Sequence, residues 1–232
     1  GEWAVRSEAW MQRARSLPGG ASTDPRTLYF LLQTLVGAHP ISLERLQGYL
    51  LKAVREAKAW TSWLSPDLPR EASLARLVAA LFADEAFRAE LAAFAARLEP
   101  AFVRHSLALT LLQLAAPGVP DIYQGSELWD FSLADPDNRR SVDFDRRERL
   151  LDALDGSGPP SDAEKLWLIR RALEVRRARP ECFDARGVYT SLAVVGEERH
   201  RVIAFQRGTG VVVVAPRLTL SLTRGWRETR VA

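Results

Sequence analysis

The sequence contains one cysteine, three histidines and no long apolar run, and each scarcity excludes a class of protein. The single cysteine, Cys182, excludes an internal disulfide framework and is typical of a reducing compartment. No apolar segment approaches the roughly 20 residues that a membrane-spanning helix requires. The histidines are isolated from one another, and none has a second ligand at helical spacing, so no metal site is predicted. We therefore expect a cytoplasmic protein that holds neither a metal ion nor another cofactor.

The sequence also has no large excess of positive or negative charge, because 32 basic and 29 acidic residues give a formal net charge of only +3. The two signs are mostly interspersed and create no concentrated basic field, so we expect neither nucleic acid nor a membrane as a partner. The 232 residues, 47% of them hydrophobic, suffice for a buried core in one large or two smaller domains. The sequence begins without methionine or a signal-peptide pattern, so we expect its start to be internal to a longer protein.

The N-terminal part of the sequence is predicted to be helical. Trp3 to Arg15 has the composition of a helix, and Leu-Pro-Gly-Gly follows it. Asp24 is a predicted N-cap with Pro25 at the first helical position, and Ser42 is predicted to cap a third helix. Asp84 is predicted to divide the following Ala- and Leu-rich region into two helices, of which it caps the second.

Several charged and aromatic residues follow in and after the third helix. Four charged residues lie off its apolar face: Lys52, Arg55, Glu56 and Lys58. A solvated face is the simpler interpretation of these charges, and contact with a glycan is the alternative. Trp60 and Trp63 can stack on the apolar face of a sugar ring, but large aromatic side chains more often fill gaps between helices.

The middle of the sequence is predicted to deliver a polar loop. Phe102 to Ala115, after Pro100, predicts a separate helix that is buried on most sides, with His105 as a satisfied core histidine. Val119 to Tyr123 is apolar, lies between proline and glycine and is too short for a helix, so it predicts a brief buried strand. Residues just after the carboxyl end of a buried strand form the ligand site in parallel α/β proteins. Function is therefore expected in the loop that opens at Gly125.

This same region carries a family resemblance. The pattern Gly-x-Pro-x-x-Tyr-x-Gly-x-Glu, from Gly118 to Glu127, resembles the segment around the eighth barrel strand of the alpha-amylase family of glycoside hydrolases and transglycosylases. Five further segments are similar to the same family: Glu127–Asp130, Asp135–Arg140, Val142–Phe144, Tyr29–Gly37 and Lys52–Trp63. Together they resemble the members that convert the reducing-end alpha-1,4 linkage of a maltooligosaccharide into an alpha,alpha-1,1 linkage. The resemblance thus implies an intramolecular transglucosylase, with another hydrolase or transglycosylase of the family as the alternative.

The resemblance also implies a fold and a domain organisation. Residues 1–180 are expected to be the mostly helical C-terminal part of a catalytic (β/α)8 barrel, with its last strand and a helical insertion. The family carries a β-sandwich after the barrel, so residues 181–232 are expected to be a small antiparallel β domain that is incomplete at its C-terminus. The implied partners are a maltooligosaccharide substrate and the remainder of the barrel, which precedes this part in the same protein.

The sequence after the polar loop agrees with a change of domain. Gly156 to Pro160 predicts a flexible break, and Ser161 to Glu164 predicts a capping box that opens a helix with basic last turns. From Gly187 the apolar spacing changes to a period of two, which predicts an antiparallel sheet packed apart from the helices. Four strands are predicted: Val188–Val195, Arg201–Gln206, Val211–Ala215 and Leu218–Leu222.

The chemistry of the family is only partly represented in this sequence. Retaining transfer needs a carboxylate nucleophile and a carboxylic acid about 5 to 5.5 Å apart. The resemblance places these groups, and a third aspartate, after earlier barrel strands whose motifs are not found here. No catalytic residue is therefore assigned, and the chain alone is expected to be inactive.

What the polar loop can provide is recognition of sugar hydroxyls and rings. The predicted substrate-binding residues are Tyr123, Gln124, Trp129, Asp137, Asn138, Arg139 and Arg140. The alternative, that these side chains only pin the loop, stays open, and Asp137 is expected to pair with Arg139 or Arg140. An interpretation of a different class is a noncatalytic helical and β-sandwich module that binds a partner through the basic helix.

Overall fold

The structure, a computed structural model, describes residues 1–154, 158–159 and 162–232. Its α-helices are α1 Glu2–Ser16, α2 Pro25–Gly37, α3 Leu43–Ala57, α4 Leu68–Ala83, α5 Glu85–Ala115, α6 Phe144–Asp152, α7 Glu164–Ala178 and α8 Pro180–Phe183. Its β-strands are β1 Tyr189–Ser191, β2 Val194–Val195, β3 Val202–Arg207, β4 Val211–Pro216 and β5 Arg230–Val231. The prediction of a helical part followed by small antiparallel sheets is confirmed at this level.

The chain forms two compact units that interleave in sequence. Unit 1 consists of residues 1–97 and 131–140, and unit 2 consists of residues 98–130 and 141–232. The predicted domain boundary between residues 180 and 181 stays a prediction. Within the described residues, no helix is both long and apolar enough to cross a membrane.

The helix starts of unit 1 follow from local side-chain capping. The Asp24 carboxylate accepts hydrogen bonds from the backbone N–H groups of Arg26 and Thr27, with Pro25 at the first helical position. The Ser42 hydroxyl caps α3 in the same way. A side chain that accepts these otherwise unpaired N–H groups stabilises a helix by about 1 kcal/mol. The predicted starts of α2 and α3 are confirmed.

Asp84 ends α4 and caps α5, as predicted, since its carboxylate accepts from the backbone N–H of Phe87 at 3.0 Å. The core of unit 1 lies between these helices and is almost entirely apolar. Its most deeply buried side chains include Trp10, Leu28, Leu31, Leu32, Leu46, Leu50, Leu77, Leu81 and Phe87.

α5 differs from its prediction in two respects. It continues through Pro100 as one helix, although the sequence predicts two helices. An internal proline removes one backbone hydrogen bond, at a cost of about 3 kcal/mol, and the helix-forming residues on both sides of Pro100 keep the helix continuous. Burial on most sides is also wrong, because Leu114 is buried whereas Leu109 is 67% exposed.

The predicted strand Val119 to Tyr123 is not a strand. This segment has no regular secondary structure, and the side chain of Val119 is 95% exposed. A strand forms only where a neighbour accepts and donates its backbone hydrogen bonds. The described residues provide no strand beside this segment, so its apolar composition alone does not make it a strand.

The antiparallel sheet of unit 2 is confirmed in part. β1, β3 and β4 form one sheet in the order β1-β3-β4, and β2 pairs with β5 in a second, two-stranded sheet. Phe205 and Val213 of the first sheet pack against Ala115 at the end of α5, so the prediction that the sheet packs apart from the helices is wrong. The predicted strand Leu218 to Leu222 is also wrong. Leu218 adopts a left-handed conformation that turns the chain away from β4 into a 3₁₀ helix.

The region before α7 lies largely outside the described residues. This applies to most of the predicted break, Gly156 to Pro160, and to Ser161 of the predicted capping box. α7 begins at Glu164 without a side-chain cap at Ala163, which is not the start that a capping box on Ser161 predicts.

Candidate functional site

In unit 1 the loop of residues 131–140 is fastened to α3 by a forked ion pair. Arg45 donates from Nε to Asp137 Oδ1 at 3.0 Å and from Nη2 to Asp137 Oδ2 at 2.8 Å. Nη2 also donates to the backbone carbonyl of Phe131 at 3.0 Å, and the backbone N–H of Leu133 donates to Asp137 Oδ2 at 2.7 Å. Two parallel donors from a planar guanidinium fix both the position and the orientation of a carboxylate. The Asp137 side chain is therefore a structural anchor of the loop.

The environment of Asp137 stabilises its charged form. The hydrogen bonds from Arg45 are the largest cause, and together with the Leu133 N–H they lower the pKa of Asp137 to about 2 against the opposing effect of burial. The carboxylate is only 15% exposed. A group ionised at all ordinary pH values and fully engaged by donors is not suited to accept or supply a proton in a reaction.

A second fastening connects Lys52 of α3 to the same loop. Lys52 Nζ donates to the backbone carbonyl of Asp135 and lies 3.8 Å from its carboxylate and 3.7 Å from that of Glu56. Asp135 also pairs with Arg139. The interpretation of Lys52 as part of a solvated face is therefore wrong, because its side chain is 22% exposed and directed at the loop.

The other predicted residues of this loop either expose their side chains to solvent or contain a buried polar atom without a hydrogen-bond partner among the described residues. Arg139 is 72% exposed, and Arg140 is 52% exposed while it donates to Ser132 Oγ and to the Asp137 carbonyl. Asn138 Oδ1 is buried and has no hydrogen-bond partner among the described residues. The predicted pairing of Asp137 with Arg139 or Arg140 is confirmed for Arg140 alone, at a distance of 3.8 Å. The main partner of Asp137 is Arg45.

Farther along α3, Arg55 supports an exposed tryptophan. Arg55 donates to both carboxylate oxygens of Glu71 at 2.8 and 2.7 Å, and the buried Thr61 hydroxyl donates to the same carboxylate. The Arg55 guanidinium carbon lies 4.8 Å from the centre of the Trp63 ring, whose side chain is 56% exposed. Both the solvated-face interpretation of Arg55 and the gap-filling interpretation of Trp63 are therefore wrong.

In unit 2 the turn that begins at Tyr123 is held by Arg147 of α6. Arg147 donates from Nε to Glu127 Oε2 at 3.0 Å and from Nη2 to the Gly125 carbonyl at 2.6 Å. Gly125 is buried with φ of +90°, and a Cβ at this position would lie 3.1 Å from Val142 Cγ2. Glu127 therefore fixes the turn, and glycine is required at position 125 for both conformation and space.

The three predicted binding residues of unit 2 differ in their surroundings. Tyr123 is 49% exposed, and its backbone carbonyl accepts from the N–H and hydroxyl of Ser126. Gln124 is exposed within the same turn. The Trp129 ring forms a tilted aromatic pair with Phe102 of α5, and the two ring centres are 5.8 Å apart. Unit 2 thus presents Tyr123 and Gln124 to solvent and partly covers Trp129.

Beside this turn, Lys165 of α7 is partly buried. Loss of hydration lowers the pKa of Lys165, and the nearby charges of Asp130 and Glu127 oppose that shift. Also in unit 2, the Thr219 N–H donates to His105 Nε2 at 3.2 Å. The prediction that His105 is a satisfied histidine without a catalytic role is consistent with this bond.

The predicted site residues therefore fall into two groups. Asp137, Asn138, Arg139 and Arg140 are brought together in unit 1, whereas Tyr123, Gln124 and Trp129 belong to unit 2. Sequence reasoning missed Arg45 as a loop anchor. Its signal was the seven-residue spacing to Lys52, which places both cations on one face of a helix. The described residues contain no cluster of histidine, cysteine or acidic side chains that could hold a metal ion.

Comparison with known proteins shows what the chain is similar to. No family model matches the sequence. Two relatives from Mycobacterium tuberculosis strains, both named as putative maltooligosyl trehalose synthases, are 39% identical over 214 residues, which are 89% of this chain and 27% of the relative.

Solved structures give the same answer for the fold. A maltooligosyltrehalose synthase from Arthrobacter ramosus matches with a TM-score of 0.85 and 40% identity over 98% of this chain and 30% of the other. A hypothetical synthase of the same name from Sulfolobus tokodaii, 27% identical over 93% of this chain and 29% of the other, matches with a TM-score of 0.76. The chain spans less than a third of the length of these relatives. The resemblance is thereby confirmed, and the chain is the counterpart of one part of the maltooligosyl trehalose synthases.

Proposed function

We propose that this chain is part of an intramolecular transglucosylase that converts the reducing-end alpha-1,4 linkage of a maltooligosaccharide into an alpha,alpha-1,1 linkage. The names of the relatives supply the reaction, and the two-point fastening of residues 131–140 to α3 is the observation that carries the role of this chain. In the whole protein, residues 1–180 would complete a (β/α)8 barrel, and residues 181–232 would form a β domain beside it.

The role of this chain is to recognise sugar. Arg139 and Arg140 hold exposed guanidinium groups on a loop whose backbone is fixed by Arg45 and Lys52. Guanidinium donors on a fixed loop hold a pyranose through its hydroxyls in a defined orientation, with little loss of entropy on binding. Asn138 stays in the proposed set for its side-chain amide, whose Oδ1 is buried and has no partner among the described residues.

In unit 2, Tyr123, Gln124 and Trp129 are proposed as residues that contact a maltooligosaccharide. Tyr123 offers an exposed ring for stacking, Gln124 an exposed amide, and Trp129 a ring already supported by Phe102. Aromatic faces suit the apolar face of a pyranose, while amides suit its hydroxyls.

Catalysis itself is assigned to residues outside this chain. Double displacement requires a nucleophile and an acid about 5 to 5.5 Å apart. The carboxylates near the loop are otherwise engaged: Glu127 with Arg147, Asp137 with Arg45, and Asp143 as the N-cap of α6. The chain alone is therefore expected to produce neither hydrolysis nor trehalose ends, and its main partner is the remainder of the same enzyme.

The interaction-module alternative is less well supported. Its binding surface would be the basic end of α7, yet Arg170 and Arg171 pair with Glu174, and Arg176 donates to the Leu114 carbonyl at 2.7 Å. Guanidinium groups used inside unit 2 are less available to an anionic partner. The buried free thiol of Cys182 supports the cytoplasm as the proposed compartment.

The test is to replace Arg139 or Arg140 by alanine in the enzyme that contains this chain. Each variant should lose at least about tenfold in trehalose-forming kcat/KM, since a lost charge-assisted hydrogen bond is worth about 1.5 to 3 kcal/mol. The melting temperature should change little, because both side chains are largely exposed. Arg186→Ala is the matched control, since Arg186 is also exposed and pairs only locally with Asp184. Full activity per folded molecule in both loop variants would refute the proposal.

A further inference from the structure

Three cations on α3 hold two features of unit 1. Arg45 and Lys52 fasten the loop of residues 131–140, and Arg55 supports the Trp63 ring. At about 100° per residue these side chains lie within about 80° of one another around the helix axis. Arg45 and Arg55 are ten residues apart, which corresponds to about 15 Å along the axis. The candidate sugar-binding loop and Trp63 are therefore attached to the same face of one rigid helix.

Trp63 is held more firmly than its exposure alone would suggest. Its guanidinium support is fixed by two hydrogen bonds to Glu71, which is only 8% exposed. Thr61, two residues before the tryptophan, is 3% exposed, donates to Glu71 and accepts from the Asp67 N–H at 3.0 Å. The backbone on which Trp63 stands is thereby anchored in the core of unit 1.

The Trp63 ring is therefore held in place by its neighbours without being buried. Arg55 covers one face of the ring at 4.8 Å, while 56% of the side chain is open to solvent. Burial of the indole would stabilise the fold, and that stabilisation is absent here. A fixed aromatic surface of this kind is suited to stacking on a flat, partly apolar ligand, and a pyranose has such a face.

We propose that Trp63 is an outlying subsite that stacks on a glucosyl unit of a long maltooligosaccharide. The inference rests on the proposed function, which supplies the chemical class of the ligand. Arg45, which fastens Asp137, is about 15 Å from Arg55 along α3, whereas Lys52, which fastens Asp135, is only about 4.5 Å from Arg55. A short oligosaccharide held at the Arg45 end of the loop therefore does not reach the ring. Trp63 therefore contributes to the affinity for long substrates and to the preference for chain length.

The neighbouring residues define the alternative occupant. Leu64 is 99% exposed and Leu68 is 61% exposed, so the same region also has an aliphatic surface that a protein could cover. A protein contact would use Leu64 at least as much as Trp63, whereas a sugar ring stacks on the aromatic face alone. Leu64→Ala is thus a matched control for Trp63→Ala.

The experiment measures kcat and KM of the complete enzyme for maltotriose and for maltoheptaose, in Trp63→Ala, Trp63→Phe and Leu64→Ala. Trp63→Ala should raise KM for maltoheptaose about five- to tenfold, which corresponds to the loss of one stacked aromatic contact. The KM for maltotriose and both kcat values should stay unchanged. Trp63→Phe should recover most of the affinity, and Leu64→Ala should match the wild type.

Equal KM changes for the two substrates in Trp63→Ala, or an equal change in Leu64→Ala, would overturn the subsite. Calorimetric titration of maltoheptaose into the complete enzyme and its Trp63→Ala variant separates this inference from the proposed function. Weaker binding in the variant supports the subsite even if the enzyme forms no 1,1 linkage. Unchanged binding refutes the subsite even if the enzyme is a trehalose-forming transglucosylase.

Discussion

Two polar segments of this chain were expected to act as one loop, and they are held in different ways. Residues 131–140 contain little regular secondary structure, and charged side chains of α3 hold them in place. That helix lies about 90 residues earlier in the sequence. Residues 116–130 begin with the exposed Val119 region and are held mainly where Arg147 reaches Glu127 and Gly125. The comparison indicates that a forked ion pair can hold a segment whose regular structure is a single 3₁₀ turn, Asp137–Arg139.

The residues that anchor each segment also differ from the residues that are exposed for ligand recognition. In residues 131–140 the carboxylate of Asp137 is occupied by its ion pair with Arg45, while the side chains of Arg139 and Arg140 are exposed. In the second segment the anchor holds the turn from Gly125 to Glu127, while the side chain of Val119 is almost fully exposed.

Glu71→Ala should destabilise the chain most, by about 3 kcal/mol, because it leaves the guanidinium of Arg55 without its buried partner. Glu71 is 8% exposed and also accepts from Thr61. Chemical denaturation measures the change. Asp184→Ala, which breaks the exposed pair with Arg186, is the control and should lower the free energy of unfolding much less. Equal losses in the two variants would contradict the idea that cations of α3 are structural anchors.

The Asp137 anchor should weaken in acid. Because the pKa of Asp137 falls from 3.8 to about 2 on folding, its contribution is complete above about pH 4 and is lost as the pH falls through about 2. A shift of this size is worth about 2 kcal/mol. Asp137→Asn should remove that part of the acid dependence, measured as unfolding free energy at about pH 5 and about pH 2.5. Identical pH profiles for wild type and variant would show that the ion pair does not stabilise the fold.

Gly125→Ala should cost about 1 to 2 kcal/mol, since the left-handed φ of +90° and the nearby Val142 both disfavour a Cβ. Gly48→Ala is the matched control, because Gly48 lies inside α3 and a Cβ added there would have nothing within 4 Å. That change should stabilise by up to about 1 kcal/mol. Thermal unfolding of both variants measures the difference, and a neutral Gly125→Ala would mean that the turn is looser than its contacts indicate.

Val119→Ser should change the stability of the chain by less than about 0.5 kcal/mol, because an exposed side chain loses little by becoming polar. A buried strand residue would cost several times more on the same substitution. Urea denaturation distinguishes these outcomes. A loss above about 2 kcal/mol would restore the prediction of a buried strand for Val119 to Tyr123.

The elements that sequence predicts well here are those specified locally. The caps at Asp24, Ser42 and Asp84 need only the side chain and the next three backbone N–H groups. The prediction of a strand at Val119 to Tyr123 fails because a strand depends on a neighbour that its own sequence does not specify. The prediction at Leu218 fails similarly, since its left-handed conformation is unusual for leucine and has no sequence signal.

The residues of the candidate site stay a prediction from the sequence, whereas the contacts that support them are visible only in the structure. The motif from Asp135 to Arg140 indicates where sugar recognition is expected, and the comparisons support that family. Its anchor is Arg45, 92 residues away, and charge patterns on a helix do not show which distant carboxylate they meet. The same limit explains why the sequence alone favours a solvated Arg55 although Glu71 fixes it.

Arg45 is expected to act on substrate recognition through the loop that carries Arg139. A double-mutant cycle in the complete enzyme measures this coupling, with trehalose-forming kcat/KM determined for Arg45→Ala, Arg139→Ala and the double variant. If Arg45 positions Arg139, the double variant should be hardly worse than Arg45→Ala, which gives a coupling energy above about 1 kcal/mol. Strictly additive losses, or an Arg45→Ala enzyme of full activity, would contradict the claim.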